Sequence, residues 1–301
     1  MNASNPVRVA AAQYPIEFLG GWQAYQAKLS GYVAEAAKAG AKIAMFPEYG
    51  SMELVSLLPE DVRPDLAKQL DKLQGLFVDY LDLHTELAAK HGLYILASSF
   101  PVRRDDGTYR NQAWLIGPGG KREVQEKLQM TRFEDEIWGI APGTELRVFD
   151  TDHGRLGVAI CYDSEFPRLV RSQIEAGAEI MLVPSCTDAV RGYNRVRVAA
   201  RSRAMENQCF AVQSPTVGTA PWSAAVDENC GAAGAFSPID KGFPEDGVLA
   251  TGELNQPGWI YADLDLEAAR KLRRETAQVF NARDWAKEEP ILRAPVRAGK
   301  V

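Results

Sequence analysis

The stretch Arg155-Leu-Gly-Val-Ala-Ile-Cys161-Tyr-Asp163-Ser-Glu165-Phe-Pro167-Arg168 reads as a buried strand over 156–160 that stops in a polar turn. Pro167 then opens a helix, where its missing N–H costs nothing. A cysteine therefore sits where a strand hands over to a helix, the place where open α/β sheets bind ligands. A helix start nearby also favours negative charge and would help hold a thiolate. Cysteine is nonetheless among the most buried residue types, and a lone one after an apolar strand is more often packing. A chemical reading of Cys161 needs company from the rest of the chain.

On either side of that stretch, helices and strands alternate. Segments 146–149 and 156–160 form a hairpin around Asp152-His153-Gly154, and a helix runs on to Ala176. A strand over 180–183, a helix over 193–207 and a strand over 209–216 follow. Nearer the start, 7–12 reads as a strand, 22–39 as a helix stopped by Gly40, and 43–46 as a buried strand closed by Pro47 and Glu48. Residues 50–63 read as a loop, 65–91 as a helix with a break near Gly75, and 94–100 as a strand. Asp105-Asp106-Gly107 turns the chain into a strand over 109–116, and Pro118-Gly119-Gly120 into another over 124–130. Residues 131–143 read as an aromatic and acidic loop. The span 218–258 is rich in Gly, Pro and Ala. A last helix is expected over 266–276, and an irregular tail from Asn281.

One echo organises these segments. Ala39-Gly-Ala-Lys-Ile-Ala-Met-Phe-Pro47-Glu48 matches Ala176-Gly-Ala-Glu-Ile-Met-Leu-Val-Pro184-Ser185 as helix end, glycine, buried strand, proline, polar residue. Two α/β halves of similar build are implied, each with a mostly parallel sheet. If each sheet carries helices on one face only, the bare faces must pack together. The expected fold class is thus α/β, a four-layer α-β-β-α sandwich in a single domain over 1–280, with a tail over 281–301.

Composition narrows the function. The 301 residues are 46% hydrophobic and 25% charged, with a net charge of −6. That balance argues against nucleic-acid binding, which needs a basic footprint. No apolar run reaches membrane-spanning length, and 1–8 lacks the apolar core of a secretory signal. Cys161, Cys186, Cys209 and Cys230 have no CxxC spacing and read as reduced thiols of a cytoplasmic protein. His84, His91 and His153 build neither a zinc site nor an HExxH motif, so no metal is expected.

Glu48 and Cys161 both lie just past strand ends, which points them to one rim. Lys127 shares a strand face with Gln125 and Gln129 by period-two alternation, although an edge-strand lysine in water is the commoner case. Together the three supply amide hydrolysis without histidine. A thiolate attacks, an ammonium stabilises the developing oxyanion, and a carboxylate moves protons.

Pro47-Glu48-Tyr49, Glu126-Lys127-Leu128 and Cys161-Tyr162-Asp163-Ser-Glu165-Phe166-Pro167 also resemble the signature blocks of the nitrilase, or carbon–nitrogen hydrolase, superfamily. Ala176-Gly-Ala-Glu-Ile with Pro184-Ser185, and Arg203-Ala-Met-Glu206-Asn207-Gln208-Cys209, extend the likeness. The resemblance implies a nitrilase-like fold, Cys161 as nucleophile, Glu48 as general base and acid, and Lys127 with the Tyr162 N–H at the oxyanion. It implies a thioester intermediate, no cofactor, and pairing into a homodimer or higher homo-oligomer, in which 281–301 would take part. It also implies a second glutamate. Glu136, six residues before Pro142-Gly143, fits that spacing best, with Glu134 as the alternative.

Cys-Tyr-Asp resembles the amidase-like branches more than true nitrilases, so a small-molecule amide is the expected substrate. Tyr49, Trp138 and Thr187 are candidate substrate contacts. Met52, Leu54 and Phe133 are further wall candidates, and Arg132, Arg168 or Arg195 would hold a carboxylate. Nitrile hydrolysis, N-carbamoyl hydrolysis and a catalytically silent ligand-binding protein are the alternatives. An N-acyltransferase is a further one, but that branch usually carries membrane segments.

Overall fold

Consecutive apolar residues in the first strand go to two different cores. Val7, Val9 and Ala11 join one cluster with Leu156, Val158, Ile180 and Leu182, whereas Ala10, Ala12 and Tyr14 join another with Tyr25, Leu29 and Val33. A strand buried on both faces reads as a near-continuous apolar run for this reason. The computed structural model describes residues 6–285, so the expected tail beyond Trp285 lies outside the described residues.

In chain order, β1 (Val7–Pro15) is followed by α1 (Trp22–Lys38), β2 (Ile43–Met45), α2 (Leu66–Leu73), α3 (Phe77–His91), β3 (Tyr94–Leu96), β4 (Phe100–Arg103), β5 (Tyr109–Ile116) and β6 (Arg122–Glu126). Then come β7 (Val148–Thr151), β8 (Gly154–Val158), α4 (Pro167–Glu175), β9 (Ile180–Ser185), α5 (Val190–Asn207) and β10 (Phe210–Thr219). The last part holds β11 (Glu228–Asn229), β12 (Gly234–Phe236), β13 (Val248–Thr251), β14 (Gly258–Leu264), α6 (Leu266–Lys271) and α7 (Asn281–Asp284).

The strands run in the order β4-β5-β3-β2-β1, then β10-β9-β8-β7. Strands β1, β2 and β3 are parallel, as are β8, β9 and β10. The two halves meet where Tyr14 pairs with Thr216 and Pro15 with Val217, also in parallel. Strand β14 pairs with β1 antiparallel from Val7–Leu264 to Gln13–Gly258. Helices α1 and α3 cover the outer face of the first sheet through Leu29, Val33, Leu83 and Leu87. Helices α4 and α5 cover the second through Val170, Ile174, Val196 and Ala200. The product is the four-layer α-β-β-α sandwich. Each fully buried Leu, Ile, Val or Phe in it contributes roughly 1.5–3 kcal/mol.

The echo marks matching places in the two sheets, since β2 and β9 flank β1 and β10. Gly40 and Gly177 end the preceding helices at φ +81° and +100°, a backbone open to glycine and strained for other residues. Several local expectations change. The strand expected over 94–100 is two strands, β3 and β4, either side of a break. Residues Gly50–Leu57 wind as a 3₁₀ segment, and its Met52 and Leu54 are core residues. Strand β6 stops at Glu126, one residue before Lys127. The start of the tail is a helical turn packed on its own chain, where the Trp285 indole donates to the Glu206 carbonyl at 3.2 Å. Among the described residues, no helix is long and apolar enough to cross a membrane.

Candidate active site

Cys161 follows β8 and begins a short 3₁₀ turn over Cys161–Glu165, after which Pro167 opens α4. Its φ is +49°, the left-handed region, and Tyr49 just past β2 has φ +52°. Such conformations cost about 1–3 kcal/mol each for residues other than glycine, and they persist where the surrounding structure holds them. Here the Ser164 hydroxyl donates to the Cys161 carbonyl at 2.6 Å, and the Tyr49 N–H donates to Ser99 Oγ at 2.9 Å.

Lys127 is held by its backbone. Its N–H donates to the Asn111 carbonyl at 2.9 Å, and its carbonyl accepts from Gly143 N–H at 2.7 Å. That approach requires glycine, because a Cβ on residue 143 would lie 2.6 Å from the Glu126 Cβ. The side chain is 1% exposed, so the solvated edge lysine is not what forms.

The Lys127 Nζ donates to Glu48 Oε1 at 2.7 Å and to Glu134 Oε2 at 2.6 Å. Glu48 also accepts from Asn111 Nδ2 at 3.0 Å and from the Cys186 N–H at 3.0 Å. Glu134 also accepts from the Tyr49 hydroxyl at 2.7 Å, the Thr131 N–H at 2.9 Å and the Thr131 hydroxyl at 2.8 Å. The Cys161 thiol donates to the Cys186 carbonyl at 3.8 Å and feels the charge of Glu48 on the same cavity wall.

The second glutamate is therefore a correction. Glu134 meets Lys127, and Glu136 does not. The expected loop contains a turn of π-helix, Phe133–Trp138, which sends Glu134 and Trp138 inward and Glu136 to the opposite side. There Glu136 pairs with Arg132 at 2.7 Å, both in solvent. Ile137 beside it is turned out as well, 66% exposed.

Two carboxylates share one buried ammonium, and their environments separate them. Burial raises both, but Glu134 has Lys127 and three neutral donors on its oxygens, which hold its carboxyl below the ordinary value. For Glu48 burial prevails over Lys127, with the Glu134 charge adding to it, and the carboxyl is raised. Glu134 thus holds the more settled negative charge, and Glu48 is the carboxylate that binds a proton more readily. Burial works against the Lys127 charge, but Glu134 and Glu48 outweigh it and keep the ammonium protonated. Burial and the Glu48 charge push the Cys161 thiol well up, against Lys127. The expected resting thiolate is therefore replaced by a thiol beside a base.

These groups floor a cavity of about 350 Å³. Tyr49, Trp138, Tyr162 and Thr187 line it, as do Phe133 and Arg195. Two of the candidate contacts are already engaged. The Tyr49 hydroxyl serves Glu134, and the Thr187 hydroxyl donates to the Cys230 carbonyl at 2.7 Å. Trp138 packs on Tyr49 with ring centres 4.7 Å apart and planes tilted by 52°, and its indole N–H has no hydrogen-bond partner among the described residues. Arg168 and Arg132 lie outside the cavity wall, Arg132 on Glu136. A larger cleft of about 670 Å³ opens by Pro118, Arg147 and Phe149, but no cysteine lines it. Among the described residues, no group of three or more His, Cys, Asp or Glu side chains is arranged to hold a metal ion.

Three partners escaped the sequence reading. Asn111 is fully buried in β5, and a buried Asn inside a strand is itself a signal, since strands disfavour it. Thr131 and Glu134 spell the Thr-x-x-Glu of a capping box. Asp163 turns back to accept the Gln129 N–H at 2.7 Å.

Known proteins carry the same build. The family profile described as Carbon-nitrogen hydrolase matches residues 8–274. A Bacillus subtilis (strain 168) protein named probable hydrolase YhcX is 37% identical over 269 residues, which cover 89% of this chain and 52% of that protein. This chain thus spans about half the length of that relative. Omega-amidase NIT2 of Bos taurus is 27% identical over 262 residues, covering 81% of this chain and 84% of the relative. In fold, the crystal structure of a carbon-nitrogen hydrolase from Helicobacter pylori matches with a TM-score of 0.77 at 19% identity, covering 97% of this chain and 99% of that one. The matched span runs from the second residue of β1 to past the end of α6, and it encloses Glu48, Lys127, Glu134 and Cys161: the chain belongs to the carbon–nitrogen hydrolase family.

Proposed function

We propose that the protein hydrolyses the C–N bond of a small amide through a thioester on Cys161. The observation that carries this reading is Lys127 Nζ held between Glu48 and Glu134, at 2.7 and 2.6 Å, on the floor of a cavity that also holds Cys161. An ammonium has three N–H donors, and the two carboxylates occupy two of them. The third is left for the substrate oxygen.

In this reading Glu48 takes the thiol proton as Sγ bonds to the amide carbon, and the carbonyl electrons move to oxygen. Lys127 and the Tyr162 N–H stabilise that oxyanion, an effect of roughly 100- to 1000-fold per donor. As the C–N bond breaks, Glu48 gives the proton to the leaving nitrogen, which departs as ammonia or an amine. Glu48 then takes a proton from water, hydroxide adds to the thioester, and the acid leaves. The Cys161 sulfur recovers its proton from Glu48.

Charge favours an amide whose remainder is neutral or cationic. Glu165, Asp188, Asp227 and Glu228 line the cavity with, among the described residues, a single cation beyond Lys127, and that cation, Arg195, already meets Glu165 at 3.3 Å. A cleft of one sign raises the local concentration of the opposite charge. The omega-amidase relative is thus a guide to chemistry more than to substrate charge.

The test is ammonia release from a panel of neutral amides, amine-bearing amides, dicarboxylic ω-amides, N-carbamoyl compounds and nitriles, with mass spectrometry of the acylated protein. Turnover of an amide with the acyl group on Cys161 supports the reading. Label on another cysteine, or none with any amide, overturns it. A homo-oligomer in the cytoplasm is part of the same proposal, and light scattering of the purified chain tests the assembly.

A further inference from the structure

No step above uses Asp163, yet its carboxylate is buried at the site. Oδ1 accepts from the Gln129 N–H at 2.7 Å and the Leu128 N–H at 3.1 Å, and Oδ2 accepts from the Ile160 N–H at 3.3 Å. Leu128 and Gln129 follow Lys127 directly. Ile160 precedes Cys161, and Asp163 is two residues beyond it. One carboxylate therefore joins two segments that are otherwise separate turns, one carrying the ammonium and one the sulfur.

The position has a specific chemical demand. Three backbone N–H donors converge on it, so it must offer acceptors at both oxygens. An ionised carboxylate does this, whereas a protonated carboxyl or an amide sets a donor against a donor. Neither Lys127 from the end of β6 nor Glu48 from the end of β2 is among its hydrogen-bond partners, though both charges act on it. On the α5 side, Arg203 reaches the Ser164 carbonyl at 3.4 Å.

We propose that ionised Asp163 is a positioning residue, which fixes the Lys127 ammonium over the Cys161 sulfur by bracing the backbones of the two segments. It touches no reacting atom and acts through where it puts the other two. Burial holds its carboxyl up at about 7, so the brace slackens on the acid side of neutrality. A displacement of about 1 Å at a reacting centre costs on the order of 100-fold in rate, which sets the scale of the effect.

The inference rests on the amide-hydrolase reading for its kinetic arm, and a second arm needs no substrate. In Asp163→Asn, kcat at pH 8 is expected to fall by about ten- to a hundredfold with KM little changed. The acid limb of the wild-type kcat profile near pH 7 is expected to vanish from the variant. The substrate-free arm is NMR of the wild-type enzyme. The Asp163 carboxyl carbon should titrate near pH 7, and the Leu128 and Gln129 amide signals should move with it. A variant with wild-type kcat and an unchanged acid limb overturns the proposal. So do Leu128 and Gln129 amides that ignore the titration, a result that holds even if the variant fails to fold. Should the wild type hydrolyse no C–N bond, the amide reading falls, and the NMR arm still decides the brace.

Discussion

The Thr131 N–H donates to Glu134 Oε2 at 2.9 Å, and the Glu134 N–H reaches back to Thr131 Oγ1 at 3.4 Å. This reciprocal cap turns the Glu134 carboxylate toward Lys127 and leaves Glu136 on the outer side of the turn. Glu134→Gln is therefore expected to lower kcat by about 100-fold or more, the size of losing an aimed electrostatic group. Glu136→Gln should match wild type in turnover and in melting temperature, since its pairing with Arg132 is solvent-exposed. Steady-state kinetics of both variants on one substrate decides it.

Lys127→Met should be inactive and also less stable. It leaves Glu48 and Glu134 buried without their counter-charge, and breaking a buried pair from one side costs about 3–5 kcal/mol. Adding Glu134→Gln removes one of the two uncompensated carboxylates. Urea unfolding of the double variant is expected to recover part of the loss while turnover stays absent. Additive losses in the double variant would contradict the shared-charge account.

Two outcomes are expected at Cys161. Alkylation of the resting enzyme should keep accelerating through pH 9, because burial and Glu48 hold the thiol protonated and the thiolate fraction goes on rising until pH passes the raised value. A plateau near neutrality would mean a preformed thiolate. Cys161→Ala and Cys161→Gly should both be inactive, but the glycine variant should melt higher. The left-handed backbone costs an alanine roughly 1–2 kcal/mol, more than glycine's added chain entropy.

Asp163 makes stability depend on pH in a stated direction. Its folded value is raised, from the ordinary 3.8 to about 7. A raised value means the folded state binds the extra proton, so this contribution is complete below about pH 4 and is lost as pH rises through about 7. The displacement corresponds to on the order of 4 kcal/mol. Relative to Asp163→Asn, wild type should gain stability as pH falls from 8 to 4, measured by urea unfolding. An opposite slope would show that the carboxylate is stabilised in the fold.

The layers were legible because strands buried on both faces, such as Ile43–Met45 and Ile180–Ser185, leave continuous apolar runs, and because Gly40 and Gly177 stop the helices before them. Glu48, Lys127 and Cys161 were legible as strand-end polar residues and as family motifs, and the structure brings them together. The second glutamate was misjudged because motif spacing was read along a loop, whereas the residues wind as a helix. Winding makes 134 and 138 neighbours and turns 136 away. Asn111 and the Cys186 N–H were not legible as partners of Glu48. The first depends on the strand order that sets β5 near β2 and the second on the packing of one half against the other, and local pattern encodes neither.

Strand β1 has its far partners at the other end of the chain, β10 and then β14. During synthesis this apolar strand emerges before these partners and waits unpaired along most of one side until Gly258–Leu264 is made. The Glu48 contact with the Cys186 N–H, 138 residues apart, likewise waits until β9 of the second half has been made. Glu48 thus gains its Cys186 partner only after both halves have been made, a long-range contact of the kind that forms late. The same order has a liability. A chain that stops short of Gly258 keeps an open apolar edge, and it is expected in the insoluble fraction.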